Sequence, residues 1–261
     1  MLQSTVWLYH RWVEKYVTIE KYEGETPLQA LERFRATRPD LARIPMTYAG
    51  RLDPMATGAL VLLIGEECKN RDAYTGLEKE YEFEVLFGVA TDTGDVLGLI
   101  HEYAALQPGI PMDQIMEAGT FTLPYPAYSS KTVDGIPLFQ YAKEGRLRDI
   151  RIPVREMTVQ SVDYIGSRTM TGTVIRSDVL QRTRLLKYDV HGPAENDFRE
   201  HRVRESWADF PDGVYTVARY RARVTGGTYI RSIVQEAGKR IRIPVLAYSI
   251  KRTRVIGLPQ F

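Results

Sequence analysis

Two stretches of strict alternation constrain this chain more than any other feature. In Glu80-Tyr81-Glu82-Phe83-Glu84-Val85, continuing to Phe87 and Gly88, acidic and apolar side chains take turns. From Val214 to Val224 the same period returns with the opposite charge. Val217, Arg219, Arg221 and Arg223 share one face, and Ala218, Tyr220, Ala222 and Val224 share the other. Successive side chains of a strand point to opposite faces, so this period describes strands with one wet and one dry side. A chain of 261 residues is long enough to bury a substantial core beneath them.

Several function classes fall away on composition. No stretch approaches the length of a membrane span, and Met1-Leu2-Gln3-Ser4-Thr5 lacks the plan of a signal peptide, so a cytoplasmic protein without membrane contact is expected. A single cysteine, Cys68, excludes an internal disulfide and a multi-cysteine zinc site. His10, His101, His191 and His201 are scattered without ligand spacing, and the turn Thr91-Asp92-Thr93-Gly94-Asp95 lacks the further carboxylates of a calcium loop. No metal is therefore expected. The net charge of +2 says little about nucleic acid, but its distribution is uneven: from Arg219 to Arg254 basic side chains recur and Glu236 is the sole acid. A phosphate-contacting surface needs such a segment, and a solvated face produces one equally well.

Along the chain, Trp7 to Ile19 suits an opening strand or hairpin. Thr26-Pro27-Leu28-Gln29 is a capping box, and Leu28, Leu31 and Phe34 predict a helix from Pro27 to about Arg38. Then comes Gly50-Arg51-Leu52-Asp53-Pro54-Met55-Ala56-Thr57-Gly58-Ala59-Leu60, leading into the apolar run Val61 to Gly65. Asp53 before Pro54 is expected to cap a helix whose first residue is the proline. Residues 107–148 read as an excursion: a short helix from Asp113 to Ala118, an extended proline-stiffened loop from Leu123 to Lys131, and a second helix near Pro137 to Gly145. Ile152 to Val179 reads as β-structure turning at Gly166 and Gly172, and 191–213 as a long charged loop. Ile230, Ile233, Val234 and Ala237 predict a helix from near Thr228 to Gly238, which puts Arg231 in its first turn. The helix dipole opposes a cation there; a buried or substrate-facing carboxylate partner would favour it, with Asp53 the obvious candidate, and an arginine pointing into solvent at a small cost is the alternative.

Four separated segments, in order, resemble the TruB family of pseudouridine synthases. Gly50 to Leu60 resembles the family's G-x-L-D-P-x-A-T-G-x-L segment, and Lys79-Glu80-Tyr81 with Phe87-Gly88 and Thr91 to Gly98 resembles its K-x-Y block. Pro126-Ala127-Tyr128-Ser129 with Leu138, Tyr141, Ala142 and Gly145 resembles the RNA-gripping thumb, and Gly227-Thr228-Tyr229-Ile230-Arg231 resembles G-T-Y-I-R. The resemblance implies an α+β fold: a pseudouridine synthase-like, mixed, largely antiparallel central sheet with flanking helices and a thumb insertion, forming one catalytic domain over 1–261. It implies Asp53 as the catalytic aspartate, Tyr81 stacked on the target uracil and Arg231 paired with Asp53. Tyr48, Gly50, Arg51, Thr57, Asp95, Tyr128, Lys131, Tyr229 and Ile250 are implied as substrate contacts. Isomerising uridine breaks the N-glycosidic bond and joins C5 to the sugar, with no cofactor implied. An ionised carboxylate beside the ribose can serve as nucleophile at C1′ or as base at C2′, and an aromatic face replaces the stacking that a flipped base loses.

The implied substrate is the T-arm of tRNA, at position 55, acted on by a cytoplasmic monomer that needs no protein partner. A synthase for ribosomal or guide-selected RNA, and a non-catalytic RNA-binding factor on the same scaffold, are the alternatives. The chain also departs from the family. Lys21-Tyr22-Glu23-Gly24 stands for K-P-x-G, Tyr48 for a histidine, Tyr125 for a thumb proline, and Lys131 is one place out of register with the usual lysine. Bacterial members continue into a C-terminal PUA or PUA-like module, which is expected to be missing here, leaving more of the phosphate contact to the basic segment from Arg219.

Overall fold

A computed structural model describes residues 14–104, 110–186 and 198–260. The elements of its first half are β1 (Tyr16–Lys21), α1 (Pro27–Ala36), β2 (Met46–Ala49), β3 (Thr57–Ile64), α2 (Arg71–Gly76), β4 (Glu78–Phe87), β5 (Val89–Thr91) and β6 (Ile100–Tyr103). There follow β7 (Gly119–Pro124), β8 (Thr132–Val133), β9 (Ile136–Pro137), α3 (Leu138–Lys143), β10 (Val154–Thr171), α4 (Gly172–Thr183), α5 (Glu200–Ala208), β11 (Val214–Val224), α6 (Ile230–Ile241) and β12 (Val245–Ile256). The central sheet has eight strands in the order β1-β3-β12-β4-β11-β10-β7, with β2 added beside β3. Neighbours are antiparallel except β3 and β12, which run parallel where Thr57 and Gly58 face Lys251 and Arg252. The fold is thus α+β on a mixed, largely antiparallel sheet. The parallel join is tight. A Cβ on Gly58, whose φ is +102°, would lie 2.2 Å from the Arg252 carbonyl oxygen, so only glycine fits.

The alternating strands lie side by side. On their dry face Tyr81, Phe83, Val85 and Phe87 of β4 join Ala218, Tyr220, Ala222 and Val224 of β11 beneath Ile230, Ile233, Val234 and Ala237 of α6. On the other face α4 and α5 cover one end, packing Ile175, Val179, Val203, Trp207 and Phe210 against Leu86, Val217 and Leu246. The rest of that face is charged. Because β4 lies between β11 and β12, its acids meet the bases of both: Glu82 pairs with Arg219 and Arg221, Glu78 with Arg223, and Glu80 with Arg254 at 3.2 Å. The basic segment is therefore largely matched, charge against charge, rather than an open phosphate-binding surface.

Local sequence accounts for the element ends. The capping box at α1 is complete: the Thr26 hydroxyl accepts from the Gln29 amide at 3.2 Å, and the Gln29 side chain accepts from the Thr26 amide at 2.8 Å. α6 begins after Tyr229 and runs past Gly238 to Ile241. Gly238 does not end it, because a Cβ there would come within 2.4 Å of Val245 Cγ2, so the glycine serves helix–strand packing. The chain leaves α6 at Arg242, in the left-handed region at φ +57°.

Four expectations need correction. Ile152 to Val179 is not all β: β10 continues through a register shift at Gly166, and the chain then turns into α4. The Thr171 hydroxyl caps that helix by accepting from Val174, and Gly172 presses its backbone on Pro211, where a Cβ would lie 2.0 Å from the carbonyl oxygen. The charged stretch 191–213 is not simply a loop, since Glu200 to Ala208 form α5, with Val203 and Trp207 buried one turn apart; 191–197 lie outside the described residues. Asp113 to Ala118 yields only a 3₁₀ turn at Met112–Gln114. Residues 107–148 are not wholly an excursion, because β7 pairs with β10 at the sheet edge. Of the opening strand, only the part from Tyr16 is a described strand.

Trp207 has no exposed surface and its indole nitrogen donates to the Gly98 carbonyl at 3.2 Å. Trp207→Ala should cost about 3–5 kcal/mol in urea unfolding followed by circular dichroism, the usual range for emptying an aromatic core position.

Candidate active site

The segment from Gly50 to Ala59 is held from below by buried cations. Arg252, 1 % exposed, donates from Nη2 to the Gly50 carbonyl at 2.9 Å and from Nε to the Ala59 carbonyl at 2.6 Å, fixing both ends. Lys21 fixes the middle, its Nζ donating to the carbonyls of Pro54 at 3.0 Å and Ala56 at 2.6 Å. The Pro54 carbonyl also accepts from the Gly24 amide at 3.0 Å. Burial pulls Lys21 down to about 8, against Glu25 and Asp53, which favour its charged form. Between these anchors the Ala56 amide donates to the Asp53 carbonyl at 3.0 Å, closing a turn. Asp53 is therefore not a helix cap: no helix follows Pro54, and β3 starts at Thr57. Its carboxylate is left free of the backbone.

Both carboxylate oxygens go to Arg231. Arg231 Nε donates to Asp53 Oδ2 at 2.7 Å and Nη2 to Oδ1 at 3.0 Å, a bidentate pair. Nη1 donates to the Thr93 carbonyl at 2.7 Å, and Nη2 also to the Tyr128 carbonyl at 3.2 Å. Asp95 Oδ2 stands 3.5 Å from Arg231 Nε, while Asp95 Oδ1 accepts from the Thr93 hydroxyl at 2.6 Å and the Leu97 amide at 2.9 Å. Burial works to discharge Arg231, but Asp53 and Asp95 outweigh it and hold the guanidinium above its already high ordinary value. Burial likewise raises Asp95, with Arg231 opposing. The Arg231 side chain is 3 % exposed and that of Asp53 33 %, so the cation is sealed and the carboxylate can be reached.

The other predicted residues fall into groups. Ile250, Met55, Arg182 and Tyr248 line a small cavity at Asp53, and the same four border a cleft of about 520 Å³ whose wall includes Thr57. Tyr81 lies beneath the segment in one core cluster with Leu52, Ala56 and Ile250. Tyr229 packs edge-on against Tyr125, with ring centres 5.8 Å apart. Gly50 is bound to Arg252 and so is structural in its contacts. A separate group lies towards the thumb: Arg51 meets the Tyr48 hydroxyl at 3.1 Å and the Ser130 hydroxyl, and Lys131 sits 5.5 Å from the centre of the Tyr125 ring. Three residues of the site were not singled out from sequence. Lys21 enters the sequence reading only as the first residue of the stretch standing for K-P-x-G and Arg252 only within the basic segment from Arg219, and Arg182 lies just beyond Val179, where the β-structure reading ends.

Residues 41–179, just over half of the chain, match the family model described as TruB family pseudouridylate synthase (N terminal domain). The chain belongs to the TruB family. The match spans Asp53, Tyr81, Asp95 and Tyr128, and the fold carries Arg231 and Ile250 to them from beyond it. The chain is 28 % identical over 271 positions to tRNA pseudouridine synthase 4 of Saccharomyces cerevisiae, covering 90 % of this chain and 66 % of that one. It is 34 % identical over 155 positions to tRNA pseudouridine synthase B of Caldicellulosiruptor saccharolyticus, covering 57 % and 50 %. A chain in the crystal structure of a Cbf5-Nop10-Gar1 complex superimposes with a TM-score of 0.52 at 14 % identity, over 92 % of this chain and 48 % of that one, a likeness of fold. This TruB-family chain thus spans between half and two thirds of the length of these two tRNA synthases.

Removing Arg231 strands Asp95. Arg231→Ala should lower stability by about 3–5 kcal/mol, the usual cost of breaking a buried pair. Asp95 is already raised by burial and loses the cation that opposes the rise, so its folded pKa moves further above its unfolded value. Such a group supports folding below its unfolded pKa and loses that support as pH rises through the folded one. Urea titrations at pH 5 and 7.5 should show the deficit against wild type growing with pH.

Proposed function

We propose that this chain isomerises a uridine of tRNA to pseudouridine, at the T-loop position conventionally numbered 55. The observation that carries this reading is a reachable carboxylate, Asp53, gripped at both oxygens by a sealed guanidinium and lining a small cavity with Met55, Arg182, Tyr248 and Ile250. Binding alone gives no reason to present a carboxylate to a polyanion. The names of the two relatives, both tRNA pseudouridine synthases, favour tRNA as the substrate.

In this reading the uridine leaves its stack and its ribose comes to rest on Asp53. The N1–C1′ bond breaks, the uracil turns, and a C5–C1′ bond forms; C5 gives up its proton and N1 gains one, so nothing is consumed. Asp53 attacks C1′ or removes the C2′ proton, and both routes start from a carboxylate whose two oxygens are aimed by Arg231. Tyr81 and Ile250, which share a core cluster beside the segment, supply the aromatic and apolar surface for the flipped base. Phosphate contact falls to the thumb side. Arg51, Arg71 and Lys131 form no ion pair among the described residues, and Arg51 and Arg71 both lie 5.8 Å from the centre of the Tyr48 ring.

A single sheet that draws strands from Tyr16 to Ile256 supports reading the chain as one catalytic domain. The larger exposed apolar side chains, such as Tyr22, Leu28, Val154 and Val214, come from separate elements, which supports a monomer acting without a protein partner. A tRNA substrate supports a cytoplasmic site of action. Among the described residues no helix is long and apolar enough to cross a membrane.

The test is to incubate wild type and Asp53→Asn with an unmodified tRNA transcript and map pseudouridine by carbodiimide primer extension. Wild type should give one stop in the T-loop, and the isosteric variant should lose turnover by roughly a thousandfold or more while keeping RNA affinity. Modification by both proteins would refute the role of Asp53. Modification by neither would point to a binding factor or another RNA.

A further inference from the structure

A second bidentate arginine–aspartate pair stands behind the first. Arg199, at the head of α5, donates from Nη1 to Asp92 Oδ2 at 2.7 Å and from Nη2 to Oδ1 at 3.2 Å. The same guanidinium lies 4.1 Å from the centre of the Tyr128 ring, and the Tyr128 hydroxyl donates to Asp92 Oδ2 at 3.2 Å. Asp92 Oδ1 also accepts from the Leu99 amide at 2.8 Å, so the carboxylate is anchored to the sheet-side turn. Tyr128 is thus gripped at its ring and hydroxyl. Its carbonyl, at the other end of the residue, is the one that accepts from Arg231 Nη2 at 3.2 Å. A continuous set of contacts runs from Arg199 through Tyr128 to Arg231 and Asp53.

Two features indicate that Arg199 is held for this purpose. Its side chain is only 10 % exposed, deeper than the 32 % of its partner Asp92, which a surface pair would not require. Its backbone lies in the left-handed region, at φ +56° and ψ +32°. A non-glycine residue there costs of the order of 1–3 kcal/mol and persists where surrounding contacts over-determine it. The cation–π contact and the charge-assisted fork supply such contacts.

We propose that Arg199 is a positioning residue that docks the 125–131 loop on the Asp53–Arg231 pair before RNA arrives, acting through Tyr128. This rests on reading that pair as the reacting centre and the loop as an RNA contact. Loosening the clamp lowers the fraction of protein whose loop is ready to receive RNA. Apparent affinity falls by that fraction, while complexes that do form react as before.

The experiment has two readouts on Arg199→Ala, Arg199→Lys and Tyr128→Phe. The first is the rate of limited trypsin cleavage after Lys131 in the free protein, mapped by mass spectrometry; cleavage needs the loop to lift away. The second is KM and kcat on tRNA transcript. Arg199→Ala should be cut about tenfold faster at Lys131 and show KM raised about tenfold, with kcat within about threefold of wild type. Arg199→Lys, which keeps the charge without the fork, should fall between. Tyr128→Phe keeps the ring under the guanidinium and loses only the hydroxyl bond, so it should move both readouts the same way by less, and it decides the matter if Arg199→Ala does not fold. Unchanged cleavage at Lys131, or a fall in kcat with KM unmoved, would overturn the proposal. Absence of turnover by wild type would count against the catalytic reading alone, because cleavage still tests the clamp.

Discussion

The ion pair between Asp53 and Arg231 joins residues far apart in sequence, and the site is assembled around it. Arg231 is an awkward residue for its position: it is buried, charged, and at the end of a helix whose dipole repels it. Taking a guanidinium out of water costs several kcal/mol unless each donor is well matched. Its donors are matched by the Asp53 carboxylate and by the carbonyls of Thr93 and Tyr128. Four segments must therefore converge before the cation is tolerated: the loop ahead of β3, the turn after β5, the thumb-side loop and α6. The same requirement that stabilises the arginine places the carboxylate.

Charge elsewhere follows a different logic. The order β12-β4-β11 sets an acidic strand between two basic ones, so Glu80, Glu82 and Glu84 face arginines that look, along the chain, like an isolated basic run. These exposed pairs each contribute little to stability. Their consequence is electrostatic: the open sheet face carries both signs and offers little net attraction to a phosphate backbone. Arg51, Arg71 and Lys131, which form no ion pair among the described residues, lie instead beside the Tyr48 and Tyr125 rings.

What could be read from the sequence was local or periodic. The strands β4 and β11, the capping box of α1, the helix bearing Arg231 and the awkward place of that arginine in its first turn, which a carboxylate would ease, all follow from spacing and from the helix dipole. What could not be read depended on neighbours distant in the chain. Gly172 and Gly238 look like breaks, yet one starts α4 and the other lies within α6, because each accommodates a backbone or side chain from another segment. The Asp53-Pro54 pair suits a helix start, but Lys21 and the parallel join at Gly58 hold the chain in a turn that runs directly into a strand. α5 was masked by its charge, although Val203 and Trp207 one turn apart mark its buried side. Neither Arg182 nor Arg199 carries a local signal, since their partners are set by how α4 and α5 fold back across the sheet.

The turn at Asp53 shows how a carboxylate can be held in place while both of its oxygens stay off the backbone. A helix cap would have fixed the aspartate by spending a carboxylate oxygen on backbone amides. Here the backbone is fixed instead: Arg252 binds the carbonyls of Gly50 and Ala59, Lys21 those of Pro54 and Ala56, and none of these bonds involves the carboxylate. Both oxygens remain for one partner, and that partner's other donors are anchored on the Thr93 and Tyr128 carbonyls. The exposed third of Asp53 is then a surface whose position is determined by groups that solvent and substrate do not reach. A carboxylate so placed keeps its orientation without any contact from a ligand, which is the condition for an orienting contact to act on a reaction rather than on binding alone.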